Sequence, residues 1–169
     1  MSGYIDRTVT MEDVTVLPGS WRNFAGKEGP YNREGDRNFA VLLPPDVAKV
    51  MARDGWNVKS TKPQDGEEEG APYLSVAVSY KGRPPEIYVI SSKGRVRLSE
   101  NEVNILDWAN YDVADIIVSP YEWQVRENSG IKAYLQKMFV TIKEDALDLK
   151  YAHIDEQNQK PPSTDPSFQ

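Results

Sequence analysis

The sequence predicts a mainly β domain, a sandwich or a small barrel. Three observations carry this: the strict alternation of PYLSVAVSY at 72–80, the recurrence of short apolar runs bounded by turn residues from 12 to 142, and only two segments with helix start and stop signals. The 169 residues are an ordinary single-domain length, enough to bury about two-thirds of the unfolded surface.

In chain order, EDVTVL at 12–17 and RNFAVLL at 37–43 read as the first strands. A helix follows over Pro45–Arg53, opened by a proline with Asp46 in its first turn and closed by Gly55, with Val47, Val50 and Met51 as its inward stripe. WNVKS at 56–60 is the next strand. In PYLSVAVSY, Leu74, Val76, Val78 and Tyr80 share one face, while Tyr73, Ser75, Ala77 and Ser79 share the other. KGRPP at 81–85 turns the chain into EIYVIS at 86–91 and RVRL at 95–98. If Ile87 and Val89 point inward, Tyr88 points outward between basic turns. A second helix is expected from Ser99, where S-x-x-E with Glu102 forms a capping box and Val103, Leu106 and Ala109 face inward. VADIIVSPYEWQVR at 113–126 and IKAYLQKMFVTIK at 131–143 complete the strands. Neither helix has the cationic face that major-groove reading demands.

The organisation expected is a flexible N-terminus at 1–11, one domain at 12–151 containing a mobile acidic loop at 62–72, and a disordered polar and acidic tail at 152–169. Absence of cysteine excludes disulfides, thiolate metal sites and a cysteine nucleophile. With no apolar leader in MSGYIDRTVTMED and no long apolar run, the chain reads as soluble and intracellular, without membrane contact.

Net charge is −6, but it is segregated. Residues 144–169 hold six acids against two lysines, and DGEEE at 65–69 adds four more acids, so the remaining body carries +2. A mildly positive body with an acidic end suits a single-strand nucleic-acid binder.

Catalytic chemistry is missing. His153 is the sole histidine, which removes Ser-His-Asp and multi-histidine metal sites. No phosphate-binding G-x-x-x-x-G-K-[ST] or G-x-G-x-x-G is present. Asp107, Asp112 and Asp115 are spread over a helix end, a turn and a strand start, an unsuitable spacing for a metal nuclease. No enzyme activity, metal or cofactor is expected.

What the chain does display is aromatic and cationic side chains interleaved, densest from Trp21 to Lys59. Flat rings suit unstacked bases and fixed positive charge suits phosphates. The expected phosphate contacts are Arg22, Lys27, Arg33, Arg37, Lys59, Lys81, Arg83 and Arg95, and the expected stacking rings are Trp21, Tyr31, Trp56 and Tyr88. A single-stranded RNA module and a structural or assembly protein stay open as alternatives, as does the choice between monomer and homo-oligomer.

The runs EGPYNREGDRNFAVLL, DGWNVK, RPPEI, LDWANYDVADIIVSPYEW and GIKAYLQKMFVTI resemble the OB-fold single-stranded DNA-binding proteins of tailed bacteriophages, over about Val14 to Ala152. The resemblance implies an OB-fold-like five-stranded Greek-key barrel with additional strands and two short helices. It also implies coating of single-stranded DNA during phage replication, recombination and repair, in the cytoplasm of the infected bacterium. Such proteins often end in a strongly acidic peptide with a terminal phenylalanine that docks replication or recombination partners. This tail ends DPSFQ with few acids near its tip, so Phe168 is the residue on which that expectation rests.

Overall fold

The computed structural model describes residues 3–4, 7–66 and 69–144. Strands β1 (Gly3–Tyr4), β2 (Val9–Thr15) and β3 (Arg22–Asn23) precede β4 (Arg37–Leu42), with the 3₁₀ turn η1 (Gly19–Trp21) between β2 and β3. Helix α1 (Pro45–Arg53) leads to β5 (Val58–Ser60) and β6 (Pro72–Val78). After β7 (Glu86–Ser91), β8 (Gly94–Leu98) and the 3₁₀ turn η2 (Val103–Asp107), the long hairpin β9 (Val113–Val125) and β10 (Asn128–Thr141) ends the described chain.

Five of these strands make a barrel. β4 pairs antiparallel with β6, β6 parallel with β10, β10 antiparallel with β9, and β9 antiparallel with β2. The circuit closes between β2 and β4 through one bridge, Val16 to Val41, and the Leu17 N–H donating to Ala40 C=O at 2.9 Å. In chain order the barrel strands are therefore arranged first, second, third, fifth, fourth, with the third and fifth parallel, which is the OB-like arrangement expected. Their inward residues form one core, including Phe39, Val41, Leu74, Val76, Ile116, Val118, Met138 and Val140. Burying such side chains contributes roughly 1.5–3 kcal/mol each. The alternation in β6 holds: Leu74, Val76 and Val78 are buried, while Tyr73, Ser75 and Ala77 lie on the outer face.

The sparse seam explains the fate of Arg22. With ladder bonds missing there, backbone carbonyls would be left unpaired inside the protein. Arg22, only 8% exposed, donates through Nε to Leu17 C=O and through Nη2 to Val16 and Tyr111 C=O at 3.1 and 2.8 Å. Its guanidinium lies 3.8 Å from the centre of the Tyr111 ring. The phosphate role expected of Arg22 is thus corrected: it is a seam clamp with no face toward a ligand.

Three further expectations are revised. The strand expected from Glu12 is β2, which begins at Val9 and bulges where Asp13 (φ 52°) gives its N–H to the Asp115 carboxylate. Helix α1 has the foretold bounds and Gly55 stop (φ 101°), but it faces inward through Ala48 and Met51; Val47 and Val50 are exposed. The small Ala48 lets the helix approach on a narrow stripe. The second helix is only the 3₁₀ turn η2. Glu102 does accept the Ser99 N–H at 2.9 Å, so half of the capping box forms. However, the Leu106 carbonyl accepts the Tyr111 hydroxyl at 2.7 Å, so a side chain five residues on takes the carbonyl that an α-helix would offer to Asn110.

Among the described residues no helix is long and apolar enough to cross a membrane. Glu67 and Glu68 of the acidic loop, His153, the tail at 152–169 and Phe168 lie outside the described residues.

Candidate nucleic-acid interface

A groove of about 740 Å³ runs over the outer face of β4, β6 and β10. Its floor is small and polar: Asn38 from β4 and Ser75, Ala77 and Ser79 along and just past β6. Small residues on an outer strand face leave room for a planar group to lie on the sheet. One wall is the loop before β4, with Asn32, Arg33 and Asp36; the other is the β9–β10 hairpin, with Trp123, Lys132 and Tyr134.

The first wall is tied down by one amide. Asn32 Nδ2 donates to the carbonyls of Lys27 at 2.8 Å, Arg33 at 3.0 Å and Asp36 at 2.9 Å, while its Oδ1 accepts from Asn38 Nδ2. Paired backbone bonds between Gly29 and Asn32 close the turn whose tip is Tyr31, a fully exposed ring. The ordered turn fixes the backbone beneath the ring, so little further backbone freedom is lost on binding.

The second wall depends on Gly130. It faces Trp123 across the hairpin, and the indole lies against its α-carbon. Beside it, Lys132 Nζ sits 5.2 Å from the centre of the Tyr134 ring, which meets Tyr121 edge to face at 5.8 Å.

Charge along the groove is uneven in a useful way. Asp36 pairs with Arg33 at 3.8 Å, and Glu100 with Arg37 at 3.5 Å. Arg37 is further held by the Phe24 carbonyl at 2.8 Å and lies over Tyr80, so it acts largely as a wall brace. Burial pushes the Tyr80 phenol above the ordinary tyrosine value. Lys59, Lys81 and Lys132 make no ion pair among the described residues and supply the groove's available positive charge.

The sequence-expected residues therefore separate. Arg33, Arg37, Lys59 and Lys81 line the groove, and Tyr31 adjoins it through Asn32. Trp21 is partly exposed and packs edge to face on Tyr73 at 4.9 Å, at the β6 end of the sheet, outside the lining. Trp56 packs against the core and bridges to Ile131, also outside it. Lys27 is exposed in the loop, where its backbone is held by Asn23. Tyr88 and Arg95 sit together on β7 and β8: Phe139 stacks on Tyr88 at 5.1 Å and 12°, and Arg95 lies 4.8 Å from the same ring centre. The Tyr88 hydroxyl donates to Glu86, which raises the phenol's titration. With Phe139 and Arg95 both on its ring, Tyr88 is a packed surface residue instead of a bare platform.

Sequence reasoning passed over Lys132 and Tyr134 and left Trp123 out of the expected stacking rings. The available signal was Gly130 in a strand, a position where a ring can lie on backbone. The three aspartates have structural tasks. Asp107 accepts the N–H groups of Phe24 and Ala25, Asp115 caps the β2 bulge, and Asp112 pairs with Lys143 at 2.6 Å. No cluster able to hold a metal ion occurs among the described residues.

A family model described as "Putative phage ssDNA-binding domain" matches residues 3–166. No curated protein matches the chain. Among solved structures, the single-stranded DNA-binding protein from bacteriophage Enc34 is similar at a TM-score of 0.52 and 14% identity, covering 86% of this chain and 92% of that one. The same protein in complex with ssDNA gives 0.51 and 16%, covering 82% and 88%. At these identities the likeness is one of fold.

Proposed function

The chain belongs to the phage ssDNA-binding domain family, and from that premise we propose that it coats single-stranded DNA through the β4–β6–β10 groove, with little regard to sequence. The observation that carries this reading is the groove itself. It lies on the second and third barrel strands between the loop joining the first two and the hairpin joining the last two, the face on which OB-folds take oligonucleotides. Lys59, Lys81 and Lys132 would meet phosphates, with Arg33 adding to them. Trp123, Tyr134 and Tyr31 would stack on bases. Rings accept every base alike, so the reading favours sequence tolerance.

The protein then acts by binding and not by catalysis. Its place would be the cytoplasm of the infected bacterium, where exposed strands arise in phage replication, recombination and repair. Replication or recombination proteins would engage its tail.

Fluorescence anisotropy with labelled oligo-dT, mixed-sequence DNA and oligo-rU tests the reading. Tight, sequence-tolerant, salt-sensitive binding of both DNAs is expected. A clear preference for the RNA, or no DNA binding at low salt, overturns it.

A further inference from the structure

The strand β10 has two parallel neighbours on the same edge, one after the other. β6 accompanies it at Ala133 and Tyr134, and β7 takes over at Lys137. Between them neither Leu135 nor Gln136 has a partner on that edge, and the β9–β10 register slips at the same point. The chain that leaves β6 and returns as β7 carries Pro84 and Pro85, which lack the N–H needed to fill the gap. The result is a notch of about 490 Å³ in the sheet surface.

The notch has a distinct chemistry. Among the described residues, Arg7, Lys81 and Arg83 line it and no carboxylate does, while Ser79, Tyr134 and Gln136 add polar groups. Because the Gln136 Oε1 accepts from the Ser119 hydroxyl, its amide is oriented by the protein. Ser79, Lys81 and Tyr134 belong to both the groove and the notch, so the two are continuous. Three cations in a concave polar site reached over an aromatic ring match a phosphodiester far better than a base.

We infer that this notch is an exit subsite: resting on the groove reading above, it takes a backbone phosphate of the strand as it leaves the groove across Tyr134. Longer DNA gains contacts there that DNA confined to the groove does not have.

The test titrates the full chain with dT oligomers from about 4 to about 16 nucleotides. It compares wild type with Arg7→Ala/Arg83→Ala in the notch and Lys59→Ala/Lys132→Ala in the groove. All four side chains are exposed, and matching thermal melts confirm folding. The groove pair is expected to weaken every length. The notch pair should weaken the longest oligomers far more than the shortest, and lower their salt slope by about 0.7, so that the affinity lost between about 50 and about 200 mM salt shrinks roughly 2.6-fold. A notch pair with wild-type affinity at every length, or an equal effect at all lengths, overturns the subsite. A silent groove pair would instead overturn the groove reading.

Discussion

Trp123 lies so close to Gly130 that a Cβ added to the glycine would stand 2.9 Å from the indole Cζ2 and 3.0 Å from Nε1. The two face each other across the β9–β10 ladder, and the bare backbone lets the indole lie down as a groove wall. Gly130→Ala must push the ring away. It should weaken oligo-dT binding several-fold with a nearly unchanged melting temperature, while Trp123→Ala should cost about 1–3 kcal/mol of binding, the worth of one stacked base. Anisotropy titrations of both variants check this; wild-type affinity in both would remove Trp123 from the interface.

Arg22 should govern stability and leave DNA affinity alone. Arg22→Ala deprives the seam carbonyls of Val16, Leu17 and Tyr111 of their donor, and each buried carbonyl left unpaired costs about 1–3 kcal/mol. Denaturant unfolding should show a loss of at least about 2 kcal/mol, with Arg22→Lys recovering only part, since an ammonium lacks the guanidinium's fork. A stable variant with weakened, salt-flattened binding would reverse the assignment.

How much of this was legible beforehand follows from where the information sits. Alternation in PYLSVAVSY placed the β6 faces because strand periodicity is local, and Pro45 and Gly55 bounded α1 because caps are local. Arg22 and Arg33 look alike in the sequence. Only the unpaired carbonyls at the barrel seam, which arise from strands far apart in the chain, distinguish them. The η2 turn was misread for a different reason: the Tyr111 hydroxyl that takes the Leu106 carbonyl lies five residues on, and no helix start or apolar-spacing signal reports it. The interface was half visible: the loop before β4 announced itself through GKEGPYNREGDR, whereas Trp123, Lys132 and Tyr134 join it only once the β9–β10 hairpin is folded against β6.

Asn32 and Tyr31 should act together. Tyr31→Ala removes a fully exposed ring and should reduce affinity by about 1–3 kcal/mol without touching stability. Asn32→Ala, which releases three loop carbonyls, should reproduce much of that loss although its own side chain need not meet DNA. A double-mutant cycle with clear coupling supports the account; strict additivity opposes it.

Acid should loosen two surface ties. The Glu102 carboxylate is held below its ordinary 4.5 by the Ser99 backbone N–H and hydroxyl, and Glu144 by the Ser92 hydroxyl and N–H. With folded values depressed, their stabilisation is fully present above about pH 4.5 and disappears as pH falls through the lowered values. The melting temperature of Glu102→Gln/Glu144→Gln should therefore depend less on pH between about 4.5 and 2 than that of wild type. Identical pH profiles would contradict this.

The central claim is tested most directly by titrating tryptophan fluorescence with poly-dT at several salt concentrations, for wild type and Lys59→Ala/Lys132→Ala. Quenching on binding is expected, with log affinity falling linearly against log salt and the double variant's slope smaller by about 1.4. No quenching at low salt, or a slope that the double variant leaves unchanged, would contradict a single-stranded DNA groove at this face.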